Sequence, residues 1–69
     1  MENRIKQLRQ RLGITQEEFA ERLGVSRQTV VSLEKGKYNP SVVLGFRIAR
    51  VFNTTIEDIF IMEEEDYYE

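Results

Sequence analysis

Apolar residues return along this chain at helical spacing, in short blocks opened by polar caps and closed by glycine or asparagine. Ile5, Leu8 and Leu12 stand at i, i+3 and i+7, which predicts a helix over 4–12 with Asn3 as its cap and Gly13 as its stop. Thr15 and Glu18 have the spacing of a capping box, and Ile14 and Phe19 occupy the staple positions around it. A second helix therefore starts at Gln16 and buries Phe19, Ala20 and Leu23. It ends at Gly24, where a left-handed residue is cheapest as glycine. Val25 plugs the turn, Ser26 offers a cap, and a third helix runs from Arg27 to Lys35 before Gly36.

Further along, Pro40 forces Asn39 out of helix and Ser41 caps a fourth helix that reaches Phe52. Its apolar positions, 42, 43, 44, 46, 48, 49, 51 and 52, outnumber what one buried stripe requires. Val42, Phe46, Ile48, Ala49 and Phe52 are assigned to the core, which leaves Val43 and Leu44 for a partner surface. Gly45 lowers helix propensity by about 1 kcal/mol and either permits a close helix approach or has no role. Asn53 ends this helix. Thr55, with Asp58 nearby, opens a short fifth helix with Ile56, Ile59 and Phe60 on its apolar side, and Ile61 and Met62 prolong the apolar run.

The third helix has an unusual polar face. At about 100° per residue, Val30 and Leu33 share one side, and Arg27, Gln28, Val31, Ser32 and Lys35 share the other. An ordinary amphipathic helix shows water Glu and Lys pairs. Arg, Gln and Ser near a helix start are instead suited to base edges: Arg forks onto guanine, Gln onto adenine, and Ser bonds to any base.

The segments IKQLRQRLGITQEEFAERLGVS, RQTVVSLEKGKYNPS and RIARVFNTTIEDIF, taken in order, resemble the Cro/C1-type helix-turn-helix family of prokaryotic transcriptional regulators, the Xre family. The likeness covers residues 4–60. The combination is specific, whereas TQEEFA alone is weak. Length, spacing and the NPS segment look most like the compact cytolysin-operon repressor type, a dimer with no second domain. Gly45 departs from the family, where alanine or a larger apolar residue is usual. The resemblance implies an all-α, five-helix, lambda repressor-like domain, with residues 60–62 as a short C-terminal β-strand against the first few residues.

The resemblance also implies roles for single residues. Arg9 is expected to pair with Glu34, tying the first helix to the end of the third, in preference to touching phosphate. Gln16, at a helix start where amide donors suit an anion, is assigned a phosphate contact. Arg27, Gln28 and Ser32 become base readers and Val31 a neighbour of a thymine methyl, with Thr29 close to phosphate. Lys35, Lys37, Tyr38 and Asn39 line the sugar-phosphate backbone, although Tyr38 and Asn39 have the alternative of simply holding the loop. Self-association through the fifth helix adds Ile56 and Ile59 to Val43 and Leu44 as interface candidates. A two-fold dimer would set two recognition helices about 34 Å apart.

Composition narrows the classes. Sixty-nine residues suggest one domain over 1–62 followed by an acidic tail, 63–69, expected to be disordered. With 41% hydrophobic and 32% charged residues the chain reads as globular. No apolar run approaches the roughly 18 residues of a membrane span, no signal peptide is visible, and the expected compartment is the cytoplasm. Zero Cys and zero His exclude disulfides and the usual zinc and haem sites, and remove the commonest nucleophile and base. No cofactor or small-molecule ligand is expected. Glu17, Glu18 and Glu21 read as cap, dipole partners and solubilising groups, with no pocket or His to make them an acid/base pair.

The formal net charge of −2 conceals an asymmetry. Residues 1–56 hold ten Lys/Arg and five Glu, a net +5, while residues 57–69 hold seven acids and no base, −7. Phosphate attraction follows local potential, screened over roughly 8 Å at physiological salt. A basic body with an acidic end therefore remains compatible with DNA. The tail has three readings: a solubilising end, a strip competing for the basic face, or a partner contact through Tyr67 and Tyr68.

Two functions from different classes follow. One is a sequence-specific repressor that binds double-stranded DNA in the major groove as a homodimer. The other is an antitoxin-like or adaptor module that uses the same fold to grip a protein. The basic body favours the first, and an enzyme is a distant third.

Overall fold

The computed structural model describes residues 2–37 and 39–64. In chain order the elements are β1 (Glu2–Asn3), α1 (Ile5–Leu12), α2 (Gln16–Leu23), α3 (Arg27–Glu34), α4 (Val42–Phe52), α5 (Ile56–Ile59) and β2 (Phe60–Ile61). This is the all-α, five-helix arrangement that the sequence resemblance implies. The two short strands close an antiparallel ribbon, with Glu2 opposite Ile61 and Asn3 opposite Phe60. Of the expected tail, Glu63 and Glu64 are exposed, and residues 65–69 lie outside the described residues.

Caps set where each helix starts. The Thr15 hydroxyl accepts from the Glu18 N–H at 3.0 Å, and the Glu18 carboxylate accepts from the Thr15 N–H at 2.8 Å, a complete capping box. Ser26, Ser41 and Thr55 each accept from the N–H three residues on, at Thr29, Leu44 and Asp58. The exits are left-handed: Gly24 ends α2 at φ 74°, and Asn53 ends α4 at φ 53°. The first helix starts one residue later than its periodicity predicts. Arg4 N–H donates to the Ile59 carbonyl at 2.8 Å, so it continues the ribbon and stays out of the helix. Asn3 still serves that helix, its carboxamide oxygen accepting from Ile5 N–H at 3.1 Å.

The core gathers Ile5, Ile14, Phe19, Ala20, Leu23, Val30, Leu33, Ile48, Ala49 and Ile59, with Phe52 stacked on Phe19 at 5.0 Å between centroids. Both staple residues, Ile14 and Phe19, are in it. Two core assignments fail, and one position of the first helix's apolar stripe stands outside the core. Val42 and Phe46 are 73% and 61% exposed, and Leu12 is 46% exposed. Eight apolar positions on an eleven-residue helix leave its wheel without a unique inner side. Contact with the other helices chose the side bearing Leu44, Ile48, Val51 and Phe52, and turned Val42 and Phe46 outward with Val43. A Cβ placed on Gly45 would meet Ile56 Cδ1 at 3.8 Å, ordinary van der Waals contact. α5 therefore lies on that flank of α4 without needing glycine there. Among the described residues, no helix is long and apolar enough to cross a membrane.

Candidate nucleic-acid interface

Three separate attachments hold α3 from behind. Along its length Val30 and Leu33 are fully buried. At its start the Ser26 cap fixes the first turn. At its end the Asn3 carboxamide donates to the Leu33 carbonyl at 2.8 Å, so the β-ribbon is bonded to the last turn.

The Glu34 carboxylate adds a fourth tie. It accepts from Arg9 Nε at 2.6 Å and from Arg9 Nη2 at 3.4 Å, and Arg9 Nη1 donates to the Ile14 carbonyl at 2.9 Å. The two side chains are only 11% and 5% exposed. The ion pair implied by the sequence likeness is thus present, and it joins the first helix, the start of the second and the end of the third. Gln16 belongs to the same cluster: its Nε2 donates to Glu34 Oε1 at 3.2 Å. Sequence reading set this side chain between solvent and phosphate and missed its anchor. A carboxamide has two N–H donors, so one remains for an oxygen arriving from outside.

The opposite side of α3 is open. Arg27 and Gln28 are exposed, and among the described residues neither side chain makes a hydrogen bond or ion pair. Thr29, Val31 and Ser32 are half-buried beside them. The Thr29 hydroxyl lies 3.0 Å from that of Ser26, which ties it to the cap. Beyond the helix, left-handed Gly36 (φ 69°) and a bond from Lys37 N–H to the Ser32 carbonyl at 3.1 Å fold the chain back on its last turn. Lys35, Lys37 and Asn39 are exposed on that turn. The remaining loop candidate, Tyr38, lies outside the described residues.

The carboxylates have structural duties. Hydrogen bonds from the Thr15 backbone and hydroxyl hold the Glu18 carboxyl below its ordinary pKa, and those from the Thr54 and Thr55 hydroxyls do the same for Asp58. Both serve helix starts, where negative charge is favoured.

The proposed partner surface needs correction. Val43 is 62% exposed, Leu44 and Ile56 are half-buried against the core, and Ile59 is 0% exposed and can touch no partner. Ile59 belongs to the core because α5 is a single turn, of which it is the one fully buried residue, with Ile56 packed beside it. The accessible apolar surface on α4 is instead Val42, Val43 and Phe46. The i, i+4 spacing of Val42 and Phe46 carried that signal, but both had been spent on the core.

A helix-turn-helix family model matches residues 5–59, from the first residue of α1 to the last of α5. An uncharacterised HTH-type transcriptional regulator of Archaeoglobus fulgidus is 59% identical over 69 residues, 100% of this chain and 97% of the relative. One from Methanocaldococcus jannaschii is 52% identical over 66 residues, 96% of this chain and 100% of the relative. The HTH-type regulator YgzD of Bacillus subtilis is 47% identical over 66 residues, with the same coverage of each.

Proposed function

The chain belongs to the Cro/C1-type helix-turn-helix family of transcriptional regulators, and from that premise we propose that it is a repressor which binds a palindromic operator as a homodimer. Bound across a promoter in the cytoplasm, the dimer excludes polymerase by covering the DNA. The observation that carries this reading is the unoccupied pair Arg27 and Gln28 at the start of a helix restrained at both ends. A rigid helix spends little conformational freedom on binding, so its side chains discriminate between bases. In this arrangement Arg27 and Gln28 read base edges, with Ser32 and Val31 beside them. Lys35 and Lys37 add affinity that is uniform over sequence and sensitive to salt. Gln16, Thr29 and Asn39 position the backbone.

Selection of bound fragments from a random DNA pool tests the proposal. The expected product is a palindrome whose half-sites are about one helical turn, 34 Å, apart. Gln28→Ala is expected to lose about 1–3 kcal/mol at one base pair per half-site and to relax preference there. Equal weakening on every sequence would remove Gln28 from direct readout. Binding that is feeble and indifferent to sequence would favour the adaptor role instead.

A further inference from the structure

The outer side of α4 is divided by charge. At about 100° per residue, the exposed Val42, Phe46 and Asn53 form a ridge with the buried Ala49 at its foot, and Arg47 and Arg50 lie on one flank of it. The other flank is where α5 packs, fixed by the 3.8 Å approach between a Cβ at Gly45 and Ile56. Two shallow grooves result, meeting at Phe46 and Ala49, one bordered by Arg47 and Arg50 and the other by Glu57. Arg47 is already committed, its Nη1 donating to the Leu23 carbonyl at 3.3 Å. Arg50 and Glu57 are exposed, and among the described residues neither side chain makes a hydrogen bond or ion pair.

We infer that this face receives a second copy of the chain about a two-fold axis running along the Val42–Phe46 ridge, so that Arg50 of each protomer meets Glu57 of the other. The inference rests on the homodimer reading above and specifies its geometry. Two independent arguments select the axis. A two-fold along the ridge exchanges the flanks and lays each basic groove on the partner's acidic border, whereas one across the ridge would set Arg on Arg and Glu on Glu. The second argument concerns where DNA lies. The turn bearing Lys35, Lys37 and Asn39 runs directly into Ser41 at the start of α4. An axis parallel to α4 keeps both turns at the same end of the dimer, where one duplex can reach them; an axis across α4 would send them to opposite ends. The two α4 helices therefore pack in parallel. The exposed Val42 and Phe46 supply apolar area at the centre, and the Arg50–Glu57 pairs at the rim decide orientation.

Exchange of charge in the full chain tests this, read by sedimentation velocity over a dilution series, with circular dichroism to check folding. Arg50→Glu and Glu57→Lys each place two like-charge pairs in a homodimer and are expected to weaken dimerisation on the order of ten- to thirtyfold. The Arg50→Glu/Glu57→Lys double variant should regain it. So should an equimolar mixture of the two single variants, because both pairs are then opposite in sign and only the heterodimer gains. A wild-type dimer that ignores both reversals, or single variants that fail to rescue each other, overturns this axis while leaving a homodimer in place. A wild-type chain that stays monomeric at every concentration overturns the homodimer itself.

Discussion

Removing Arg9 alone should be among the most damaging single changes available to this fold. Arg9→Met keeps much of the apolar stem and deletes the guanidinium. The Glu34 carboxylate, 5% exposed, is then left with Gln16 as its one remaining side-chain donor among the described residues, and the Ile14 carbonyl loses its bond from Arg9. Breaking a buried pair from one side costs about 3–5 kcal/mol, because the surviving charge stays poorly solvated. At about 0.05–0.15 kcal/mol per residue, a chain of 69 residues has a total stability of roughly 3–10 kcal/mol. The loss is therefore comparable with the whole. Urea unfolding followed by circular dichroism should show Arg9→Met largely unfolded or with its midpoint sharply lowered. Arg9→Met/Glu34→Leu, which removes both charges, should recover most of the stability. The same double variant deprives Gln16 of its anchor, so its DNA affinity should fall although the fold returns. A loss below about 1 kcal/mol in the single variant would place the pair among ordinary surface ion pairs and refute the reasoning, as would a double variant no more stable than the single.

Lys37→Ala should weaken binding equally on all sequences and reduce the slope of log affinity against log salt by about one; an unchanged slope in a filter-binding titration would move the Lys35–Lys37 turn off the DNA. Acid should destabilise the fold through its caps. Glu18 and Asp58 have lowered carboxyl pKa values in the native state, so their contribution is complete above the ordinary carboxylate range near 4 and is lost as pH falls through the lowered native values. Glu18→Gln can retain a cap bond without the titrating charge, and its melting midpoint should vary less with pH than the wild type's in that range; superimposable profiles would deny Glu18 this role.

What the sequence disclosed, and what it withheld, follows the range of the interactions. The capping box at Thr15 and Glu18, the serine caps and the left-handed Gly24 involve residues three or four apart, so their chemistry is visible in a short window. The open side of α3 was equally visible, since a helix so short has only one way to bury Val30 and Leu33. The failures concern longer range. On α4 nearly every position is apolar, so periodicity could not say that Phe46 faces outward; that depends on where α5 lands, which a turn at residues 53–55 decides. Ile59 was assigned to a partner because its helix was, although a helix of one turn needs its inward residue for the core. Gln16 was placed correctly along the chain, but its bond to Glu34 spans eighteen residues and has no local signature.

The β-ribbon has a consequence larger than its size. Glu2 and Asn3 pair with Ile61 and Phe60. Asn3, inside that ribbon, bonds both to the first helical N–H at Ile5 and to the Leu33 carbonyl at the end of α3. One side chain thus connects the ribbon, the start of α1 and the last turn of α3, the same turn that Glu34 ties to Arg9. A helix of eight residues in isolation lacks the length to be stable in water. Its conformation is supplied from outside by these bonds and by the burial of Val30 and Leu33, which are independent of whatever lies against Arg27 and Gln28. Substitutions at Arg27 and Gln28 should therefore be tolerated by the fold, because among the described residues neither side chain makes a bond that holds the helix in place.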